Sequence, residues 1–183
     1  MTNRTKEIKS LRGSLEALQD LPPEGKGITA MPGKKKIFSQ SAEKLMNKMQ
    51  EFAKTTPFQL PQVVQGTKIL LAMGIETEKV LDTMRSLGDV SAGLGVDLNR
   101  LILNYGQVKT QTKLTGMELR DFLRAGVPLI SELSKNLNVS EAKIKELTSA
   151  GKIGFAEVEK AFQTMTGAGG KFANLMEKQS GTL

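Results

Sequence analysis

The chain has 183 residues, 39% of them apolar, enough for a domain with a real core, and it contains neither cysteine nor histidine. That composition excludes disulfides, thiolate or imidazole metal sites, and every nucleophile or acid–base arrangement built on histidine. The net charge of +7 is unevenly spread: residues 1–54 carry 11 Lys+Arg against 6 Asp+Glu, and residues 55–183 carry 15 against 13.

The first ten residues, Met1 to Ser10, are polar and hold no apolar stretch of the kind that opens a secretory signal, and no run of about 18 apolar residues occurs. The expected compartment is a cytoplasm. Ile8, Leu11, Leu15 and Leu18 follow three-then-four spacing and lie on one stripe of a predicted helix, with Lys9, Arg12, Glu16 and Gln19 off it. Two heptads make a seam and not a stable coiled coil. Leu21 to Lys36 holds three of the six prolines with several glycines and lysines, and reads as a flexible basic loop. Within it Lys34, Lys35 and Lys36 form a candidate contact patch for nucleic acid or an acidic protein surface, although a solvated loop is the simpler account of them. Residues 1–40 are therefore expected to be a helical arm plus loop, and residues 41–183 an all-helical domain.

Ser41 is the expected cap of a helix with Leu45, Met46, Met49, Phe52 and Ala53 on its apolar face, and Pro57 and Pro61 bracket the next turn. Val63, Val64, Leu70 and Leu71 mark a second helix stopping near Gly74. Val80, Leu81, Met84 and Leu87 mark a third, which loses regularity at Gly88, Gly93 and Gly95. The cleanest stripe is Leu98, Leu101, Ile102, Tyr105 and Val108. Thr115 to Glu118 is a capping box in which the threonine oxygen should take the N3 amide and the glutamate reach back, with Gly126 ending that helix. Pro128 opens a helix with Ile130, Leu133 and Leu137 inward. Val139 and Ile144 staple the start of the next, which has Ile144 and Leu147 inward as far as Gly151. Phe155, Val158, Phe162 and Met165 define another, ending at Gly167, and Phe172, Leu175 and Met176 a last short one. No alternating apolar run competes, so the fold class is all-α: a compact domain of short amphipathic helices after a helical arm and a basic loop.

Chemistry finds little purchase. Glu76 with Glu78, and Glu157 with Glu159, stand two apart and point to different helix faces, which suits helix-start charges and not a catalytic pair. Gly167 to Lys171 lacks the preceding strand and the Ser/Thr of a phosphate loop. The methionines sit at core spacing. Leu129 to Ile153 has the spacing of a helix-turn-helix, which makes a DNA-binding regulator the alternative reading. Its second helix offers Glu141, Lys143, Lys145, Glu146 and Thr148, with no Arg, Asn or Gln for a bidentate base contact, so simple hairpin packing is the simpler account.

Taken in order, residues Phe52 to Leu183 resemble the N-terminal domain of phage tail tape measure proteins. The fragments that carry the resemblance are Phe52 to Phe58, Leu70 to Ile75, Leu87 to Val90, Tyr105 to Val108, and Glu118 to Arg120 leading to Ala125 to Pro128. It continues through Gly151 to Ile153, Ala161 to Thr166, Gly169-Gly170 and Met176 to Ser180. What the resemblance implies is a phage or prophage protein that helps set tail length during assembly. The implied partners are initiator or baseplate proteins, tube proteins, an assembly chaperone and other copies of itself. The implied location is the bacterial host cytoplasm during assembly and the tail lumen in the mature particle. No catalytic residue, cofactor or metal is implied, and the peptidoglycan-cleaving domains that some such proteins carry have no counterpart here. Even a continuous helix of this length would span only about 275 Å. The segment is therefore expected to be a globular end domain and not the ruler, and to be a piece of a longer chain.

Overall fold

The computed structural model describes residues 32–180, with side chains described from Glu43 onward. The arm predicted on Ile8, Leu11, Leu15 and Leu18 lies outside the described residues. Among the described residues there are nine helices and no strand: α1 (Pro32–Thr55), α2 (Leu60–Ala72), α3 (Val80–Leu94), α4 (Leu98–Gln111), α5 (Gly116–Arg124), α6 (Leu129–Leu137), α7 (Glu141–Ser149), α8 (Phe155–Thr166) and α9 (Leu175–Ser180). The all-α class expected from periodicity is what the chain adopts.

Helix boundaries follow local chemistry, with three corrections. α1 starts at Pro32 and not at Ser41, so residues 32–40, assigned to the basic loop, are helical; a proline fits a first helical turn, where its missing N–H has no partner to lose. α3 continues through Gly88 and Gly93 to Leu94 and stops only at Gly95, whose φ of 66° is the left-handed conformation that a residue without Cβ adopts at least cost. Leu137, expected on the inward stripe of α6, is 36% exposed and is the last residue of that helix. At α5 the Thr115 oxygen accepts from the Met117 amide at 3.3 Å, one residue earlier than the standard box. Glu118 does reach back, accepting from the Thr115 hydroxyl and from Gln111 Nε2 at 3.0 Å. Ser140 caps α7 as expected, accepting from Lys143 N at 3.2 Å, with Ile144 fully buried beneath it.

The domain is organised around α3, which packs against α2, α4, α8 and α9, while α6 lies across α7 and α8. One contiguous core runs through all nine helices, from Leu45 to Met176. Tyr105 and Phe162 meet edge-on at 5.4 Å, Tyr105 and Phe155 at 5.1 Å, and Phe122 closes on Phe162 at 5.5 Å, so one aromatic group joins α4, α5 and α8. The links on either side of α5 and α7 are also tied: Leu114 N donates to Ile153 O at 2.8 Å and Phe155 N to Thr112 O at 3.1 Å. That two-bond staple brings the start of α8 against the end of α4.

Helical glycines in this core are sites of close approach. A Cβ on Gly93 would lie 2.6 Å from both Phe172 Cδ1 and Leu175 Cδ1, and one on Gly88 would lie 2.7 Å from Met176 Sδ. Phe172, Leu175 and Met176 thus seat the last short helix in a trough on α3. The interruptions expected at these glycines are absent because a buried helix tolerates glycine when packing compensates its entropy.

Candidate interaction surfaces

Lys34, Lys35 and Lys36 fall in the first two turns of α1. The candidate patch is therefore on a helix, and its side chains lie outside the described residues.

The predicted helix-turn-helix exists as geometry: α6 and α7 are joined by a three-residue turn in which Asn138 takes φ 52° and ψ 48°. Ser134 Oγ donates to Val139 O, fixing the turn. On the outer face of α7, Lys143 is paired with Glu146 at 2.7 Å, and Lys145 and Glu141 are both exposed. A groove-reading helix presents unpaired donors to base edges, whereas this face is charge-balanced and partly self-neutralised. The arrangement is that of a packed helical hairpin.

In the glycine-rich turn after α8 the amides of Gly167 and Gly170, and those of Phe172 and Ala173 after it, are taken by nearby carbonyls. Gly167 N donates to Gln163 O, Gly170 N to Gly167 O, Phe172 N to Met165 O and Ala173 N to Gly170 O. A phosphate cradle needs such amides pointing outward and free. The paired glutamates are likewise occupied: Glu157 Oε2 accepts from Gly154 N at 2.9 Å at the start of α8, and Glu76 sits 2.9 Å from Lys79. The hydrogen bond and the charge of Lys79 hold the Glu76 carboxyl below its ordinary value.

A small cavity of about 50 Å³ between α3, α4 and α8 has room for water and is edged by Lys79, Thr83, Ser86 and Glu159. Tyr105 borders it. Burial, with the negative charge of Glu159, pushes the Tyr105 hydroxyl far above its ordinary value, so it stays neutral and serves as a packed polar handle. Among the described residues no three His, Cys, Asp or Glu side chains gather as metal ligands, and no helix is long and apolar enough to cross a membrane.

The larger surface feature is an open groove of about 830 Å³ between α1, α3 and α9. Its floor includes Phe52, which is buried, and Leu81, which is half-buried. Lys48 and Glu51 line it from α1, Asp82 and Arg85 from α3, and Glu177 from α9. The groove was not legible in the sequence, because its three walls come from segments more than twenty-five positions apart. Apolar side chains also reach solvent singly: Met117 is 62% exposed, Leu103 43% and Leu123 40%.

No curated protein and no solved structure matches the chain. A family model described as tape measure protein matches residues 36–183, which takes in nearly all of the described helices and the groove they form. That match spans well over half of the sequence and agrees with the resemblance read from its fragments, and the chain therefore belongs to the tape measure protein family, structural proteins of phage tails.

Proposed function

We propose that this segment is a globular end domain of a tail tape measure protein, and that it makes protein–protein contacts while the tape fixes tail length. The observation that carries the reading is the overlap between the family match at residues 36–183 and a single packed core of short helices. A ruler gains about 1.5 Å per helical residue and so needs long continuous helix. The longest described helix, α1, has 24 residues and spans only about 36 Å. Its partners by class are initiator or baseplate proteins, tube proteins, an assembly chaperone and further copies of the chain, with Lys34, Lys35 and Lys36 on α1 as one proposed contact. The role is assembly and not turnover. The protein works in the bacterial host cytoplasm while tails form and then occupies the tail lumen.

The test is binding. The purified chain is titrated with tail proteins of its own phage and, in parallel, with duplex DNA across a range of salt. A complex with a tail protein that persists at moderate salt is the expected result. Tight duplex binding that weakens steeply with added salt, the mark of counterion release from phosphates, would overturn the proposal in favour of a DNA-binding regulator.

A further inference from the structure

We propose that residues 170–180, which end in α9, form a strap that opens from α3 as a unit about the glycine turn after α8, while the other helices stay packed. This goes beyond the tape measure reading and does not depend on it.

Three observations carry the inference. The first is a one-sided seat. α9 packs on α3, and on its α1 flank lies the open groove of about 830 Å³ rather than a packed neighbour. Beyond that groove Ser180 Oγ donates to Thr55 O at 3.0 Å. A helix of six residues is far too short to persist in water without such a seat.

The second is how the strap is held. Phe172 and Met176 are buried and Leu175 is half-buried, and these three side chains enter the trough over Gly88 and Gly93. Beside them the Met176 amide donates to Asp89 Oδ1 at 2.9 Å. At Gly88 and Gly93 α3 brings no side chain, so the apolar bulk of the contact belongs to the strap and leaves with it. The ring contacts among Tyr105, Phe122, Phe155 and Phe162 that join α4, α5 and α8 involve no strap residue. Neither do the Leu114–Ile153 and Phe155–Thr112 bonds.

The third is the hinge. Gly169 takes φ 81°, and a Cβ on Gly170 would lie 2.4 Å from Met165 O, so the closed turn needs glycine where it folds back on the end of α8. Once that close approach parts, the same glycines let the backbone swing at little cost, as hinge positions do. Opening breaks the Phe172 N to Met165 O, Met176 N to Asp89 and Ser180 to Thr55 bonds together. It bares the face of α3 around Gly88 and Gly93 that the closed form hides.

The test is native-state hydrogen exchange on the full chain in low, rising urea. The amides of Phe172, Met176 and Lys178 are expected to exchange through one shared opening, at least about tenfold faster than those of Tyr105 and Val108 in α4, and with a weaker dependence on urea. Exchange of all these amides through one global opening would overturn the proposal. Unrelated rates within the strap, the mark of fraying residue by residue, would overturn it too. A second readout uses the absence of cysteine: the buried thiol of Met176→Cys should react with a thiol reagent through the same opening, and the labelled protein should keep the near-ultraviolet signal of Tyr105. Loss of that signal on labelling would overturn the proposal, by showing that the strap leaves only when the domain unfolds.

Discussion

Asp89, in the middle of α3, accepts the amide hydrogen of Met176 at 2.9 Å, so a buried carboxylate holds the first turn of a helix that follows it by 87 positions. The bond satisfies one of the amides that a helix start leaves unpaired, and it sits beside the trough where Met176 packs on Gly88. Replacing Asp89 with Ala should leave a buried amide without a partner and cost about 1–3 kcal/mol in urea unfolding.

The same residue should give stability a recognisable pH dependence. Burial pushes the Asp89 carboxyl up, reinforced by Glu177, against the Met176 amide and the charge of Arg85. A raised folded-state value means that the protonated form suits the folded protein better. Its stabilising effect is complete below the ordinary aspartate range and is lost as pH rises through the elevated value. Asp89→Asn keeps an acceptor for Met176 and cannot titrate. The difference between wild type and Asp89→Asn should therefore shift in favour of wild type on going from about pH 7 to about pH 4. A difference independent of pH would show that Asp89 does not titrate on folding.

Glu118 should behave in the opposite sense. Burial pushes its carboxyl up, but the hydrogen bonds from Thr115 and Gln111 outweigh burial and hold it below its ordinary value. Its stabilising effect is present above the ordinary glutamate range and is lost as pH falls through the depressed value. Glu118→Gln should lose about 1 kcal/mol near neutrality, by loss of the α5 cap, with the gap to wild type closing in acid. Chemical denaturation at a series of pH values checks both residues together.

Gly93→Ala is expected to destabilise even though alanine is favoured over glycine in a helix by about 1 kcal/mol. The added methyl would meet the buried Phe172 ring at 2.6 Å, and overpacking of this kind costs about 1–3 kcal/mol. Gly116→Ala, where a Cβ meets nothing within 4 Å, is the control and should be neutral or slightly stabilising. Thermal melts of the two variants separate close approach from propensity.

Phe162 lies where α8 meets the aromatic rings of α4 and α5, and it is 1% exposed. Phe162→Ala should cost about 3–5 kcal/mol, by lost burial and a cavity, and should broaden the near-ultraviolet signal of Tyr105.

Periodicity revealed most of the helices because an apolar stripe at 3.6-residue spacing reports a buried face whichever element covers it. Leu98, Leu101, Ile102, Tyr105 and Val108 are all buried, as their spacing requires. What periodicity does not report is the covering partner, and the misreadings follow from that. Gly88 and Gly93 look like breaks until Phe172 and Met176 are seen to need the space, and Leu137, spaced to point inward, is exposed at the last residue of α6. Composition misled at residues 32–40, where glycine and lysines suggested a loop and Pro32 instead opens α1. At the glycine turn after α8 and at the α6–α7 hairpin the objections to phosphate and DNA lie in the residues themselves, in the missing Ser/Thr of the one and the balanced charges of the other. The groove needed the fold.

The most direct measurement is tail length by electron microscopy for two deletions in the phage's tape measure gene, one removing residues 41–183 and one removing a segment of equal length from a long helical region of the tape. If this domain is an assembly end piece, its deletion should abolish tails or leave their length unregulated, while the other deletion gives ordered tails shorter by roughly 215 Å, about 1.5 Å per residue. Normal yields of tails shortened by that same amount on removing residues 41–183 would make the domain part of the ruler and contradict the account.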